Sequence, residues 1–191
     1  MALRVIAGSA RGRKLVAPKG GPRQGGTRPT TDRLKEALFS SLGPARVHDA
    51  SVLDLYAGSG ALGIEALSRG AAQAVLVDRD AAAESAIRTN LRTTGFEDAA
   101  RVQRATVAGF VARPVPEAPF DLVFLDPPYE LASTTVSEVL AALATAGLVV
   151  PGATVVVERP KSGEPVTLPD AWGIEKQRAY GDTLLVVAHA G

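Results

Sequence analysis

The sequence predicts a doubly wound α/β sheet, preceded by a short basic hairpin and closed by an antiparallel one. Three observations carry this reading. From residue 51 onward short apolar runs alternate with helical stretches, the pattern of parallel strands joined by right-handed crossovers. A Gly-rich turn follows the first apolar run and Asp126-Pro127-Pro128-Tyr129 follows the fourth; in open α/β sheets ligands bind where such strands end. Two late runs, 173–180 and 183–188, flank Gly181-Asp182, a hairpin turn pair that a simple dinucleotide fold lacks.

Taken in order, residues 3–7 and 13–17 read as two strands of a β-hairpin, joined through Gly8-Ser9-Ala10-Arg11-Gly12. Residues 19–26, rich in Gly and Pro, read as a loop. Thr30 or Thr31 is the expected cap of a helix from Arg33 to Leu42, with Asp32 in its first turn. Leu34, Leu38, Phe39 and Leu42 share one face of it, and Gly43-Pro44 ends it. The predicted body runs strand 51–55, helix 60–69, strand 74–78, helix 81–94, strand 101–105, short helix 106–112, strand 120–125, helix 134–145 and strand 153–158. Trp172 reads as packing at the edge of the core.

The expected domain organisation is a basic arm over residues 1–26 and a catalytic domain over 27–191. The net charge of +1 conceals an asymmetry: residues 1–35 hold nine Lys and Arg against Asp32 alone, a net +8, and the remainder carries −7. Such an arm is the footprint expected for contacts to nucleic-acid phosphates, with Arg4, Arg11, Arg13, Lys14 and Arg28 as candidate contact residues. The chain has no cysteine, which excludes disulfides and thiolate catalysis. His48 and His189 lack metal-ligand spacing, so no metal site is expected. No signal-peptide core opens the chain and no apolar run spans a membrane, so a cytoplasmic enzyme is the expectation.

Two motifs carry the chemistry. In Asp126-Pro127-Pro128-Tyr129 the prolines fix φ and remove two N–H donors. The loop therefore stays stiff, with the Asp126 carboxylate and the backbone carbonyls converging beside the Tyr129 ring. Acceptors beside an aromatic plate suit the exocyclic amine of a nucleobase. Upstream, Val52-Leu53-Asp54-Leu55-Tyr56-Ala57-Gly58-Ser59-Gly60-Ala61-Leu62-Gly63 leads from a strand through a Gly-rich turn into a helix. Its Gly-x-Gly-x-x-Gly spacing alone reads as dinucleotide binding. Asp54 argues against a pyrophosphate, since a carboxylate there repels phosphate and attracts an ammonium or sulfonium. Asp78, at the end of the next strand, has the position of a ribose ligand; its alternative role is a helix cap, for which Asp80 is the better candidate. Together these acids and glycines suit S-adenosylmethionine better than NAD.

With these residues the chain resembles the class I S-adenosylmethionine-dependent methyltransferases. It looks most like the bacterial RsmD family, which methylates the exocyclic N2 of a guanine in 16S ribosomal RNA. The resemblance rests on residues 4–8 and 11–15, on Arg28-Pro29-Thr30-Thr31-Asp32-Arg33, on residues 54–70 and on Asp126-Pro127-Pro128-Tyr129. It implies a Rossmann-like, seven-stranded sheet of order 3-2-1-4-5-7-6 with a small N-terminal hairpin extension. It places Thr31, Asp54, Tyr56, Ala57, Gly58, Gly60, Asp78, Arg79, Thr106 and Asp126 at the cofactor. At Thr106, expected near the adenine, the family more often has Asn or Asp. It assigns Asp126, Pro127, Pro128 and Tyr129 to catalysis, with the target base flipped onto Tyr129. The implied partner is 16S rRNA, within the small subunit or its assembly intermediate, and the protein is taken as a monomer.

Competing readings are a DNA adenine-N6 or cytosine-N4 methyltransferase, a protein-amine methyltransferase and a non-catalytic RNA-binding assembly factor. The chain has no spare domain-sized segment to read a duplex. The protein-amine enzymes carry Asn in place of Asp126. Intact Asp54, Gly58, Gly60, Asp78 and Asp126 weigh against lost catalysis.

Overall fold

The computed structural model describes residues 3–20 and 29–191. Seven strands, β1 (Ser51–Leu55), β2 (Gln73–Asp78), β3 (Ala100–Arg104), β4 (Phe120–Leu125), β5 (Val149–Pro160), β6 (Gly173–Tyr180) and β7 (Thr183–His189), form one sheet. Its order is β3-β2-β1-β4-β5-β7-β6, as the resemblance implied. The first five strands pair in parallel, while β7 runs antiparallel to both β5 and β6. The helices are α1 (Pro29–Leu42), α2 (Ala61–Ser68), α3 (Ala81–Thr94), α4 (Val107–Val111) and α5 (Ser133–Thr145).

Successive side chains of a strand point to opposite faces, and the core divides accordingly. Val52, Leu122, Phe124 and Val156 pack with α1, α2 and α3, including Leu34, Leu38, Phe39, Leu42, Ile64 and Ile87. Leu53, Leu55, Val123, Leu125, Val155 and Val157 pack with α4 and α5 on the other face, where Trp172 is also buried. The central strands are buried on both sides, which is why they read as unbroken apolar runs rather than alternating ones.

Three elements differ from expectation by more than a residue at an end. Helix α1 starts at Pro29, so Thr30 and Thr31 lie in its first turn rather than capping it; proline suits the first helical position, where no N–H is needed. Strand β5 extends beyond 153–158 at both ends, because its ladder with β7 continues to Pro160 opposite Thr183, and Pro151-Gly152 sit within a bulged stretch beside β4. The expected N-terminal hairpin contains a single antiparallel bridge, Arg4 to Lys14, instead of two regular strands.

The body competes for the arm's backbone groups, and this shortens the ladder. Ile6 and Ala7 donate to the Glu65 carboxylate at 2.8 and 3.0 Å. Ala10 donates to Ser68 Oγ and Ser9 to the Ser68 carbonyl. Val16 donates to Asn90. Val5, Ala10 and Leu15 are buried in the same cluster as α1 and α2. Gly8 has φ +84°, and a Cβ there would fall 1.7 Å from the Ser68 carbonyl oxygen, so only glycine permits this close docking. Residues 21–28, which hold most of the expected loop with Arg23 and also Arg28, lie outside the described residues, as does the side chain of Thr31.

Candidate active site at the carboxyl edge of the sheet

Strands β1 and β4 are neighbours in register, Leu55 opposite Leu125. The segments leaving them, from Tyr56 and from Asp126, therefore start side by side. Asp54 is fully enclosed, and its carboxylate accepts from the Gly63 N–H at 2.9 Å. A Cβ on Gly63 would come 3.1 Å from Leu76 and 3.2 Å from that carboxylate, so a larger residue would crowd the helix against the strand. Burial pushes the Asp54 carboxyl up to about 7, and the nearby Asp126 and Asp78 charges push the same way, against the pull of the Gly63 hydrogen bond.

Tyr56 turns the chain out of β1 with φ +61°, an uncommon conformation for a residue with a side chain. The turn continues through Gly58 and Gly60, both at positive φ, and Gly60 caps α2. Asp78, at the end of β2, accepts from the Gly58 N–H and the Asp80 N–H, both at 2.9 Å. It thus holds the Gly-rich turn and does not cap α3; Asp80 does that, accepting from the Ala82 N–H. Arg79 is exposed beside it. Thr106 lies at the end of β3, exposed, its Oγ1 accepting from the Gly109 N–H as the cap of α4.

After β4, Asp126 is half-buried, Pro127 buried, and Pro128 and Tyr129 exposed. The fold thus gathers Asp54, Tyr56, Ala57, Gly58, Gly60, Asp78 and Asp126 along one edge, with Arg79 and Thr106 at its far side. Among the described residues no group of His, Cys, Asp and Glu is arranged to hold a metal. A cleft of about 360 Å³ lies at the opposite end of the sheet between Arg46, His48, Asp121 and Pro151, away from these acids.

The candidate RNA residues fall into two groups. Arg11, Arg13 and Lys14 are exposed on the arm, although Arg13 also donates to the Thr93 carbonyl. Arg4 pairs with Asp32 at 3.1 Å. Lys35, counted among the arm's charges, is buried against Glu65 at 3.5 Å and donates to the Arg4 carbonyl. Its charge is structural, and burial lowers its pKa.

Sequence reasoning missed Asn90, Glu65, Arg159 and Thr183. Asn90 interrupts the apolar stripe of α3 and bonds both Val16 and the Ser59 carbonyl of the Gly-rich turn; a polar residue at a core position was the available signal. Glu65 likewise stands among buried helix positions. Nothing local links Arg159 or Thr183 to the site.

A sheet of this order, with a Gly-rich turn and an acid-rich carboxyl edge, defines a methyltransferase of the S-adenosylmethionine-dependent fold class. Residues 3–189 match a family model described as "Conserved hypothetical protein 95". The chain is 38% identical over 179 residues to the ribosomal RNA small subunit methyltransferase D of Escherichia coli K12, covering 94% of this chain and 85% of that one. A solved Escherichia coli methyltransferase superposes with a TM-score of 0.84 at 36% identity, over 100% of this chain and 98% of that chain. A methyltransferase solved with S-adenosylhomocysteine shares the fold at 10% identity and a TM-score of 0.69, over 86% of this chain and 50% of that one. The chain belongs to the family of the small-subunit ribosomal RNA methyltransferases D.

Proposed function

We propose that this protein transfers a methyl group from S-adenosylmethionine to the exocyclic N2 amine of a guanine in 16S ribosomal RNA. One observation carries the reading most directly. Two carboxylates, Asp54 near the end of β1 and Asp126 just past the end of β4, stand on adjacent strands at one sheet edge, and the Asp126 charge adds to the burial that raises the Asp54 carboxyl. Such a pair favours a cation on one side and an amine donor on the other.

The donor set fits the cofactor. Asp54 and the turn through Tyr56, Ala57, Gly58 and Gly60 would hold its methionine end, and Asp78 with Arg79 its ribose; Thr106 and Thr31 are the remaining proposed contacts. When bound, the cofactor supplies an electrophilic methyl on a sulfonium. The chain's residues then position the acceptor. Asp126 and the Pro127 carbonyl accept hydrogen bonds from the amine, which localises a lone pair otherwise delocalised into the ring. Tyr129 stacks on the base after it leaves its helix. Most of the acceleration comes from this orientation and from fixed charges. Asp126 or water receives the proton released by the methylated nitrogen.

Arg4, Arg11, Arg13, Lys14 and Arg28 would contact phosphates on 16S rRNA, free or within the small subunit, and a cytoplasmic monomer fits this role. Among the described residues no helix is long and apolar enough to cross a membrane. Transfer of labelled methyl by purified protein tests the proposal, offered small ribosomal subunits, naked 16S rRNA and duplex DNA in parallel. N2-methylguanosine in the RNA digest supports it. Label in adenine or cytosine of DNA would favour the other amino-methyltransferase reading.

A further inference from the structure

The exposed Tyr129 ring is not free to swing. Its hydroxyl shares a 2.7 Å hydrogen bond with the Thr183 hydroxyl, which lies at the start of β7 and is itself buried. A second hold on the same loop comes from the neighbouring strand. Arg159, on β5, donates from Nη2 to the Leu131 carbonyl at 2.7 Å and approaches Ser133 Oγ at 3.3 Å. These two residues stand on adjacent rungs of the β5–β7 ladder, where Arg159 faces Leu184 and Pro160 faces Thr183. Arg159 is 5% exposed, and its Nε and Nη1 have no hydrogen-bond partner among the described residues. A guanidinium buried with unused donors is a poor device for stability. What it delivers is a fixed position for the chain between β4 and α5.

We propose that Thr183 is a positioning residue for methyl transfer: its hydroxyl sets the plane of the Tyr129 ring before any base arrives. The antiparallel β6–β7 hairpin then has a function in the reaction, since it supplies the strand that aims the catalytic loop. The inference rests on the reading of Tyr129 as the stacking plate. A ring already held in one rotamer loses little further freedom when the base stacks, and a misaimed one misplaces the amine.

Thr183→Val removes the hydroxyl and keeps the shape, and Thr183→Ser keeps the hydroxyl. Single-turnover transfer to small ribosomal subunits from cells lacking this protein should fall roughly five- to tenfold in Thr183→Val. Tyr129→Phe should show a similar loss, and the double variant should lose no more than either single one. Thr183→Ser should restore most of the rate, with affinity for S-adenosylmethionine unchanged throughout. A purely structural Thr183 would lower the melting temperature and leave the rate alone. A second measurement needs no substrate. The chain has three tyrosines, so protein labelled with 3-fluorotyrosine gives three fluorine resonances, of which Tyr129→Phe identifies one. That resonance should shift or broaden in Thr183→Val and return in Thr183→Ser. An unaltered resonance, or losses that multiply in the double variant, would overturn the proposal. Wild-type protein inactive on the subunits would instead sink the guanine reading, and the fluorine spectrum would still decide the role of Thr183.

Discussion

The Asp54 carboxylate and the Gly63 N–H meet at 2.9 Å, tying the end of β1 to the first turn of α2 across the Gly-rich loop. The hydrogen bond satisfies only part of a buried acid, whose carboxyl is pushed up to about 7. A cationic cofactor beside it favours the ionised form. Binding should therefore release protons below about pH 7, and cofactor affinity should rise as pH climbs from 5 to 7.5. In the absence of ligand the sign reverses. The folded state holds the proton more tightly than the unfolded one, so this group's stabilisation is complete below about pH 4 and is lost as pH rises through 7. Calorimetry in buffers of different ionisation enthalpy reads the proton release directly. Asp54→Asn should flatten the profile, and an unflattened profile would assign the titration elsewhere.

Asp126 and Asp78 should separate chemistry from binding. Asp126→Ala should nearly abolish methyl transfer in single-turnover assays while cofactor affinity changes little. Asp78→Ala removes a carboxylate that also holds the Gly58 N–H, and should weaken the cofactor by about 1.5–3 kcal/mol. Normal turnover in the first variant would remove the amine clamp, and normal affinity in the second would reduce Asp78 to a brace for the turn.

The arm's exposed charges should govern RNA binding and little else. Replacing Arg11, Arg13 and Lys14 together should lower the log–log salt slope by roughly 2–3 units on small subunits and on naked 16S rRNA. Cofactor affinity should hardly move. An unchanged slope on both RNAs would place the phosphate contacts elsewhere.

Glu65 accepts from Ile6, Ala7 and Arg69, and it faces Lys35 inside the protein. Glu65→Ala leaves a buried ammonium without its counter-charge and two arm N–H groups without an acceptor. The expected cost is about 3–5 kcal/mol in denaturant unfolding. A change below about 1 kcal/mol would mean that Lys35 sheds its proton or finds water instead.

The sheet was largely legible because its signals are local. β1 and β4 have the boundaries that their apolar runs indicate, β6 ends at its hairpin turn as expected, and Asp80 caps α3 as its spacing predicts. The motifs at Asp54, Asp78 and Asp126 mark strand ends, so their convergence follows from parallel pairing alone. What stayed hidden depends on contacts between distant segments. Glu65 stands out only as a polar residue in an apolar helix, and Ser68 looks like an ordinary helix residue until the arm docks on both. Thr183 meets Tyr129 only through the β5–β7 register, which no local pattern encodes. Lys35 reads as one more arm charge until α1 turns it inward.

On this reading a guanine amine in 16S rRNA receives the methyl group. Mass-spectrometric mapping of modified nucleosides in 16S rRNA, from cells with and without this protein, tests it most directly. One N2-methylguanosine should disappear without the protein, and return with the wild-type chain but not with Asp126→Ala. An unchanged set of N2-methylguanosines in 16S rRNA would contradict it.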